Sequence, residues 1–292
     1  MIPINLVQVK TADGIILDGA YIKSRRKSKH ALIWLPGLSS RFSSGQILIK
    51  ELSSRLAKGG IGYFKFDTRG HDIVARGVKG SRTKALIGSG FERFQDCILD
   101  IRAMIAFVKK EGYRDIILAG HSTGANKALY YLYRTGDKRI KGLALLGPIS
   151  DVVVGLKNFG RRRLNQALKI AEKLKFRNPG PFMPREYGIY TAERFLSLHR
   201  SGSQEDVFHY HDPKAYWKEL LSVRVPVAVI LGSRDEYLDR TPKEFLGIFQ
   251  KNAAGAKSFT GISIKGAPHG FQRKERELAL IISKWIKGCM GK

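Results

Sequence analysis

From Ala31 onward the chain alternates short apolar runs with longer helical stretches, and this alternation restricts the fold more than any other feature. The runs are Ala31–Leu35, Ile61–Phe66, Asp115–Ala119, Lys141–Leu146, Val225–Leu231 and Ser258–Ile264, most of them bounded by Gly or Pro. Continuously apolar strands need cover on both faces and parallel neighbours need long crossovers, so the pattern predicts a mostly parallel sheet with helices on each side. Gly45–Lys58, closed by Gly59-Gly60, reads as one helix. Phe91–Lys110 reads as another, with Phe94, Ile98, Ile101, Ile105 and Val108 at three- and four-residue spacing. Ile281 and Trp285 mark a C-terminal amphipathic helix. Ahead of Ala31, the segments Asn5–Val9 and Ile15–Ile22 alternate on either side of Thr11-Ala-Asp-Gly14, a hairpin signal. Lys23–Lys29 carries five basic residues and no apolar one, which predicts an exposed loop.

Asp151–Leu221 breaks the alternation. It holds the run Arg161-Arg-Arg163, then Leu164, Leu168, Ala171 and Leu174 on one side of a helical pattern, then the breakers Asn178-Pro-Gly-Pro181 and Pro184. A chain of 292 residues, 43% of them hydrophobic, can build one large core. The expected organisation is therefore a core of residues 1–150 and 222–292 with residues 151–221 inserted as a lid after the sixth core strand.

Gly120-His-Ser-Thr-Gly124 is a G-x-S-x-G pentapeptide, a weak signal in a chain with 31 glycines. Its setting strengthens it, because it follows an apolar strand and opens the helical segment Ala125–Tyr133. A strand-to-helix reversal that tight needs small flanking residues and lifts the serine above the sheet. A serine hydroxyl needs a base. His269, in Gly266-Ala-Pro-His-Gly-Phe271 after the last apolar strand, is the best-placed imidazole; His71, His209 and His211 follow no core strand in this way. Asp235 trails the strand Val225–Leu231 by a short loop and is the expected carboxylate partner of the base, with Glu236 and Asp239 as competitors. Backbone N–H donors for an oxyanion are expected at Thr123, directly after the nucleophile, and at Leu38 in Pro36-Gly-Leu-Ser39.

Taken together these motifs resemble the α/β-hydrolase superfamily over almost the whole chain, nearest to serine esterases and monoacylglycerol-lipase-like members. Phe66-Asp-Thr-Arg-Gly-His71 looks like the D-x-R-G-x segment after their fourth strand, and the chain order Ser, Asp, His is the one this fold uses. The resemblance implies an eight-stranded sheet, acyl-ester hydrolysis through an acyl-serine intermediate, no cofactor, and a lid between the sixth and seventh strands; the leading expectation is a small or medium acyl or aryl ester as substrate, with no metal ligand set. One departure is Pro36-Gly37, where the family commonly carries His-Gly. Thioesterase and peptidase activities would use the same triad, and a non-catalytic basic binding module for nucleic acid or an anionic membrane is the alternative from another class.

Charge frames the partners. With 52 Lys and Arg against 25 Asp and Glu the net charge is +27, which attracts polyanions without choosing among them. Residues 151–221 hold 13 Lys and Arg against 8 Asp and Glu. The expectation is an ester substrate, possibly anionic, with weak association of the basic lid with anionic surfaces and no specific nucleic-acid partner. Phe159, Phe176, Phe182, Met183, Tyr187, Tyr190, Phe195 and Trp217 are candidates for an acyl or aryl pocket or for the core of the lid. Cys97 and Cys289 lie too far apart in sequence for a recognisable disulfide or zinc pattern, and no export signal or 18-residue apolar run occurs. A cytoplasmic protein is expected.

Overall fold

The computed structural model describes residues 4–79, 83–175 and 180–290. Ten strands are present among them. β1 (Asn5–Lys10) and β2 (Ile16–Ile22) form the expected antiparallel hairpin. β3 (His30–Leu35), β4 (Ile61–Phe66), β7 (Asp115–His121), β8 (Ile140–Leu146), β9 (Val227–Gly232) and β10 (Phe259–Ile264) correspond to the six apolar runs. The main sheet has eight strands in the order β1-β2-β4-β3-β7-β8-β9-β10, parallel from β4 to β10, with β2 antiparallel to β4. β5 (Ala75–Lys79) and β6 (Thr83–Ile87) make a separate small hairpin.

Successive side chains of a strand point to opposite faces, and the two halves of the core follow that rule. Ala31, Ile33 and Leu35 join Ile116, Leu118, Leu143, Leu145, Val227, Val229 and Leu231 on one face. Leu32 and Trp34 join Ile117, Ala119, Ala144, Leu146, Ala228 and Ile230 on the other. The first face is covered by α2 (Cys97–Lys110), α3 (Thr123–Thr135) and α7 (Pro242–Asn252), through Ile101, Ile105, Leu129, Phe245 and Phe249. The second is covered by α1 (Gln46–Lys58) and α8 (Glu275–Met290), through Leu52, Leu56, Leu278 and Ile282. Each such large apolar side chain contributes roughly 1.5–3 kcal/mol by leaving water, which is why strands with no polar face are stable here.

Helix α2 starts later than the spacing predicts. Phe91–Arg93 lies outside it and Phe94–Asp96 is a 3₁₀ turn; the buried Glu92 side chain in this stretch pairs with Lys127 of α3. Between β8 and β9 run α4 (Asp151–Leu174), α5 (Ala192–His199) and the short α6 (Lys218–Leu221). Helix α4 breaks at Gly160, whose φ of 71° and ψ of 157° are not helical. Leu164, Ala167, Ala171, Met183, Tyr187, Phe195 and Leu196 form a small core of this segment's own. Asn178 and Pro179, two of the expected breakers, and Phe176 lie outside the described residues.

Candidate active site

The reversal between β7 and α3 is imposed by glycine. A Cβ on Gly120 would stand 2.1 Å from the Gly124 carbonyl oxygen, and one on Gly124 would stand 2.4 Å from that of Leu35. With both side chains absent the chain turns within one residue, and Ser122 takes φ 56° and ψ −129°. A positive φ at a non-glycine residue is strained. Its backbone is held on both sides, with Ser122 N–H donating to Leu146 O at 2.9 Å and Ser122 O accepting from Ala125 N–H at 2.8 Å.

The β9 and β10 loops bring His269 and Asp235 together at the same sheet edge. His269 Nδ1 lies 2.8 Å from Asp235 Oδ2, and both residues are buried. The second carboxylate oxygen of Asp235 accepts Tyr237 N–H at 2.9 Å, which fixes the carboxylate plane. The competing carboxylates are engaged elsewhere: Glu236 accepts the main-chain N–H of His269 at 3.0 Å, and Asp239 pairs with Arg240. Gly147, directly after β8, leaves the room the imidazole occupies; a Cβ there would meet His269 Cε1 at 3.0 Å.

Nε2 of His269 is buried and has no hydrogen-bond partner among the described residues. It belongs to the wall of a cavity of about 570 Å³ to which Ser122, Leu38 and Thr123 also contribute. Ser122 Oγ makes no hydrogen bond to Nε2; catalytic contacts of this kind often tighten only in the Michaelis complex. The main-chain N–H of Leu38 and of Thr123 donates to no described residue. The Gly37 loop passes close to the serine, since a Cβ on Gly37 would lie 3.6 Å from Ser122 Oγ. An unpartnered imidazole nitrogen, a strained serine and two residues whose main-chain N–H groups have no described partner thus belong to the wall of one cavity. Such an arrangement can move a proton from a hydroxyl to an imidazole and receive negative charge on backbone donors.

Other parts of this neighbourhood are not apparent from the sequence. His121 Nε2–H donates to the main-chain oxygen of His269 at 2.9 Å, and burial, with His269 beside it, lowers its pKa to about 4, so it is a neutral strut. Its place inside the pentapeptide was the only signal available. Asp151 and His199 also line the cavity. Of the aromatic candidates, Phe159, Tyr187 and Tyr190 reach the cavity wall; Met183 and Phe195 sit in the core of the 151–221 segment; Phe182 is half exposed against Phe91; and Trp217 packs on Phe208 and Phe249 in the main core. The D-x-R-G-x segment does not reach the cavity. Arg69 grips Asp100 and pairs with Asp13 and Asp96, a buried clamp beneath the sheet edge. Arg161, Arg162 and Arg163 are exposed on the outside of α4, and the cavity lining holds Asp151 and Glu186 but no Lys or Arg among the described residues.

An eight-stranded sheet of this order, with a serine on a sharp turn after its central strand, defines an α/β-hydrolase fold, and solved structures agree over the full length. Est1E from Butyrivibrio proteoclasticus superposes with a TM-score of 0.65 at 16% identity, covering 98% of this chain and 99% of that one. The alpha/beta hydrolase GrgF from Penicillium sp. sh18 gives 0.65 at 16% identity with all of both chains covered (100% and 100%). The Pyrococcus furiosus esterase Pf2001 gives 0.63 at 20% identity, covering 99% and 91%. At these identities the likeness is one of fold. A non-heme haloperoxidase from Rhodococcus erythropolis is 29% identical over 86 residues, 30% of this chain and 30% of that protein's length. The chain belongs to the family described as "Protein of unknown function (DUF1749)", which matches residues 78–287.

Proposed function

We propose that the protein is a serine hydrolase that cleaves a carboxylic ester of small to medium acyl or aryl substrates through an acyl-serine intermediate. The observation that carries the reading is the free Nε2 of an imidazole whose Nδ1 is held by Asp235, on the same cavity wall as Ser122. In this reading His269 Nε2 removes the Ser122 hydroxyl proton as Oγ attacks the ester carbonyl carbon. The carbonyl oxygen gains the electron pair of its π bond and is received by Leu38 and Thr123 N–H. Collapse expels the alkoxide, which leaves as alcohol with the proton from His269. Water, deprotonated by the same nitrogen, then attacks the acyl-serine and releases the acid. Asp235 keeps the imidazole in the tautomer with hydrogen on Nδ1 and stabilises its charged form. The esterases among the fold neighbours support ester chemistry.

The test is labelling by a fluorophosphonate probe together with hydrolysis of p-nitrophenyl esters. The wild type should be labelled and active, and Ser122→Ala should lose both while unfolding at the same temperature; retained turnover in that variant removes the mechanism. Among the described residues no helix is long and apolar enough to cross a membrane. Two free cysteines fit a reducing, cytoplasmic setting, and the exposed arginines of α4 support weak, salt-sensitive association with anionic surfaces.

A further inference from the structure

Asp151 stands where β8 hands the chain to α4, on the wall of the cavity that Ser122 and His269 share. The residue is 7% exposed. Its Oδ2 is enclosed without a hydrogen-bond partner among the described residues, and the main-chain oxygen of Asp151 accepts Nδ1–H of His199 at 2.9 Å. Three nearby donors are committed elsewhere. Arg194 grips Glu205 with both terminal nitrogens, Ser150 N–H goes to Tyr210 Oη at 2.8 Å, and His199 is turned to the main chain. His269 already has Asp235, so a second carboxylate is not needed to orient the base.

Burial raises the Asp151 pKa well above the carboxylate range. Glu205 and Asp206 push the same way, while Arg194 opposes them. A neutral carboxylic acid has one donor and open acceptor positions. The same cavity is lined by Ile149, Val154, Asn158, Phe159 and Tyr190 and, among the described residues, by no Lys or Arg. Native folds leave very few buried polar groups unpaired, so one that remains on the wall of a cavity marks a place where a ligand group can bind. A hydroxyl group, which also donates one hydrogen bond and accepts others, completes this group without bringing a charge into the cavity.

We infer that Asp151 is a specificity residue that receives a hydroxyl group of the substrate, so that the site selects hydroxylated esters over their deoxy counterparts. The inference rests on the hydrolase reading above and narrows its substrate class. A site built to hydrogen-bond a hydroxyl discriminates against the analogue lacking it, because the buried group is then left unpaired.

The experiment compares kcat/KM for matched pairs: methyl esters of ω-hydroxy and unsubstituted straight-chain acids over a range of lengths, and 2-hydroxyethyl against ethyl esters. The wild type should prefer the hydroxylated member by about tenfold or more in one of these series, the size of one buried hydrogen bond. Asp151→Leu should bring that ratio to about one; Asp151→Asn, which still donates and accepts, should retain most of the preference. Equal losses on both members of a pair in Asp151→Leu, or no preference in the wild type at any position, overturn the inference. The asparagine variant and the wild-type ratios carry the test if the leucine variant does not fold. Wild-type protein that is labelled at Ser122 and cleaves unsubstituted esters without preference defeats this inference alone, whereas protein that is neither labelled nor active defeats the hydrolase reading and this inference with it.

Discussion

Arg194→Met isolates the buried charge network that joins the 151–221 segment to the core. The Arg194 side chain is fully buried; Nε donates to Ser89 O at 3.0 Å, both terminal nitrogens bind the Glu205 carboxylate, and Nη2 lies 3.5 Å from Glu92 Oε2. Methionine fills much of the same volume but leaves Glu205 without its cation, and leaves Glu92 with Lys127 alone. Removing one partner of a buried ion pair costs about 3–5 kcal/mol. A second route bounds the loss. A stranded carboxylate can take up a proton, and doing so at pH 7 from an ordinary glutamate value near 4.3 costs about 3.7 kcal/mol, at about 1.36 kcal/mol per pH unit. The two agree on about 3–4 kcal/mol, or about 6–16 °C in Tm for a domain of this size. The assay is urea unfolding followed by circular dichroism at pH 7, 6 and 5. A carboxyl that must be neutral in the folded variant destabilises it above the unfolded-state pKa and ceases to do so as pH falls. The gap between variant and wild type should therefore close by about 1.4 kcal/mol per pH unit. Adding Glu205→Leu should restore much of the lost stability, since apolar replacement of a buried pair is often neutral. A loss under about 1 kcal/mol, or a gap independent of pH, refutes the reasoning.

Asp235→Asn should fold normally yet lose about 10³–10⁴-fold in kcat on an activated ester, because the amide favours the wrong imidazole tautomer; a loss under tenfold would remove Asp235 from the mechanism. Burial alone would lower the pKa of His209, but its hydrogen bonds to Asp206 and Glu219 raise it to about 9. The folded value lies above the unfolded one of about 6.5, so its stabilisation is complete below that pH and disappears as pH rises through about 9. Urea midpoints should fall more steeply between pH 7 and 10 in the wild type than in His209→Gln, and parallel curves would contradict the pairing.

The parallel strands were legible because both of their faces are buried and each therefore reads as an uninterrupted apolar run. The elbow was legible because its geometry admits little but glycine at positions 120 and 124. The hairpin β5–β6 was not, since Ala75–Lys79 and Thr83–Ile87 mix charged and apolar residues and Val78 and Leu86 are exposed. Inward-facing charge was hidden for a different reason. Lys127 and Arg194 lie on helices whose pattern gives a cation no cause to point inward; only Glu92 and Glu205, distant in sequence, supply one. The D-x-R-G-x segment shows the converse case, in which a recognisable motif near the site proves to be a clamp on Asp100. Asp151 was passed over because an aspartate at the start of a helix is ordinary there, where it favours the helix dipole.

Two carboxyl groups near one sheet edge have thus been given opposite surroundings. Asp235 is buried but doubly engaged, by the His269 imidazole at 2.8 Å and by Tyr237 N–H at 2.9 Å. Asp151 is buried to a similar degree with no such partners, and burial favours its neutral form. The difference matters because a negative charge at Asp151 would oppose the oxyanion that Leu38 and Thr123 are proposed to receive. A neutral acid can instead bind a substrate hydroxyl without that cost. The same division appears in the whole molecule, whose +27 net charge includes exposed arginines on α4 while the described cavity lining holds neither Lys nor Arg. Long-range attraction for anions and recognition within the cavity are therefore separable. Raising ionic strength should weaken the first through screening and leave the hydroxyl preference unchanged.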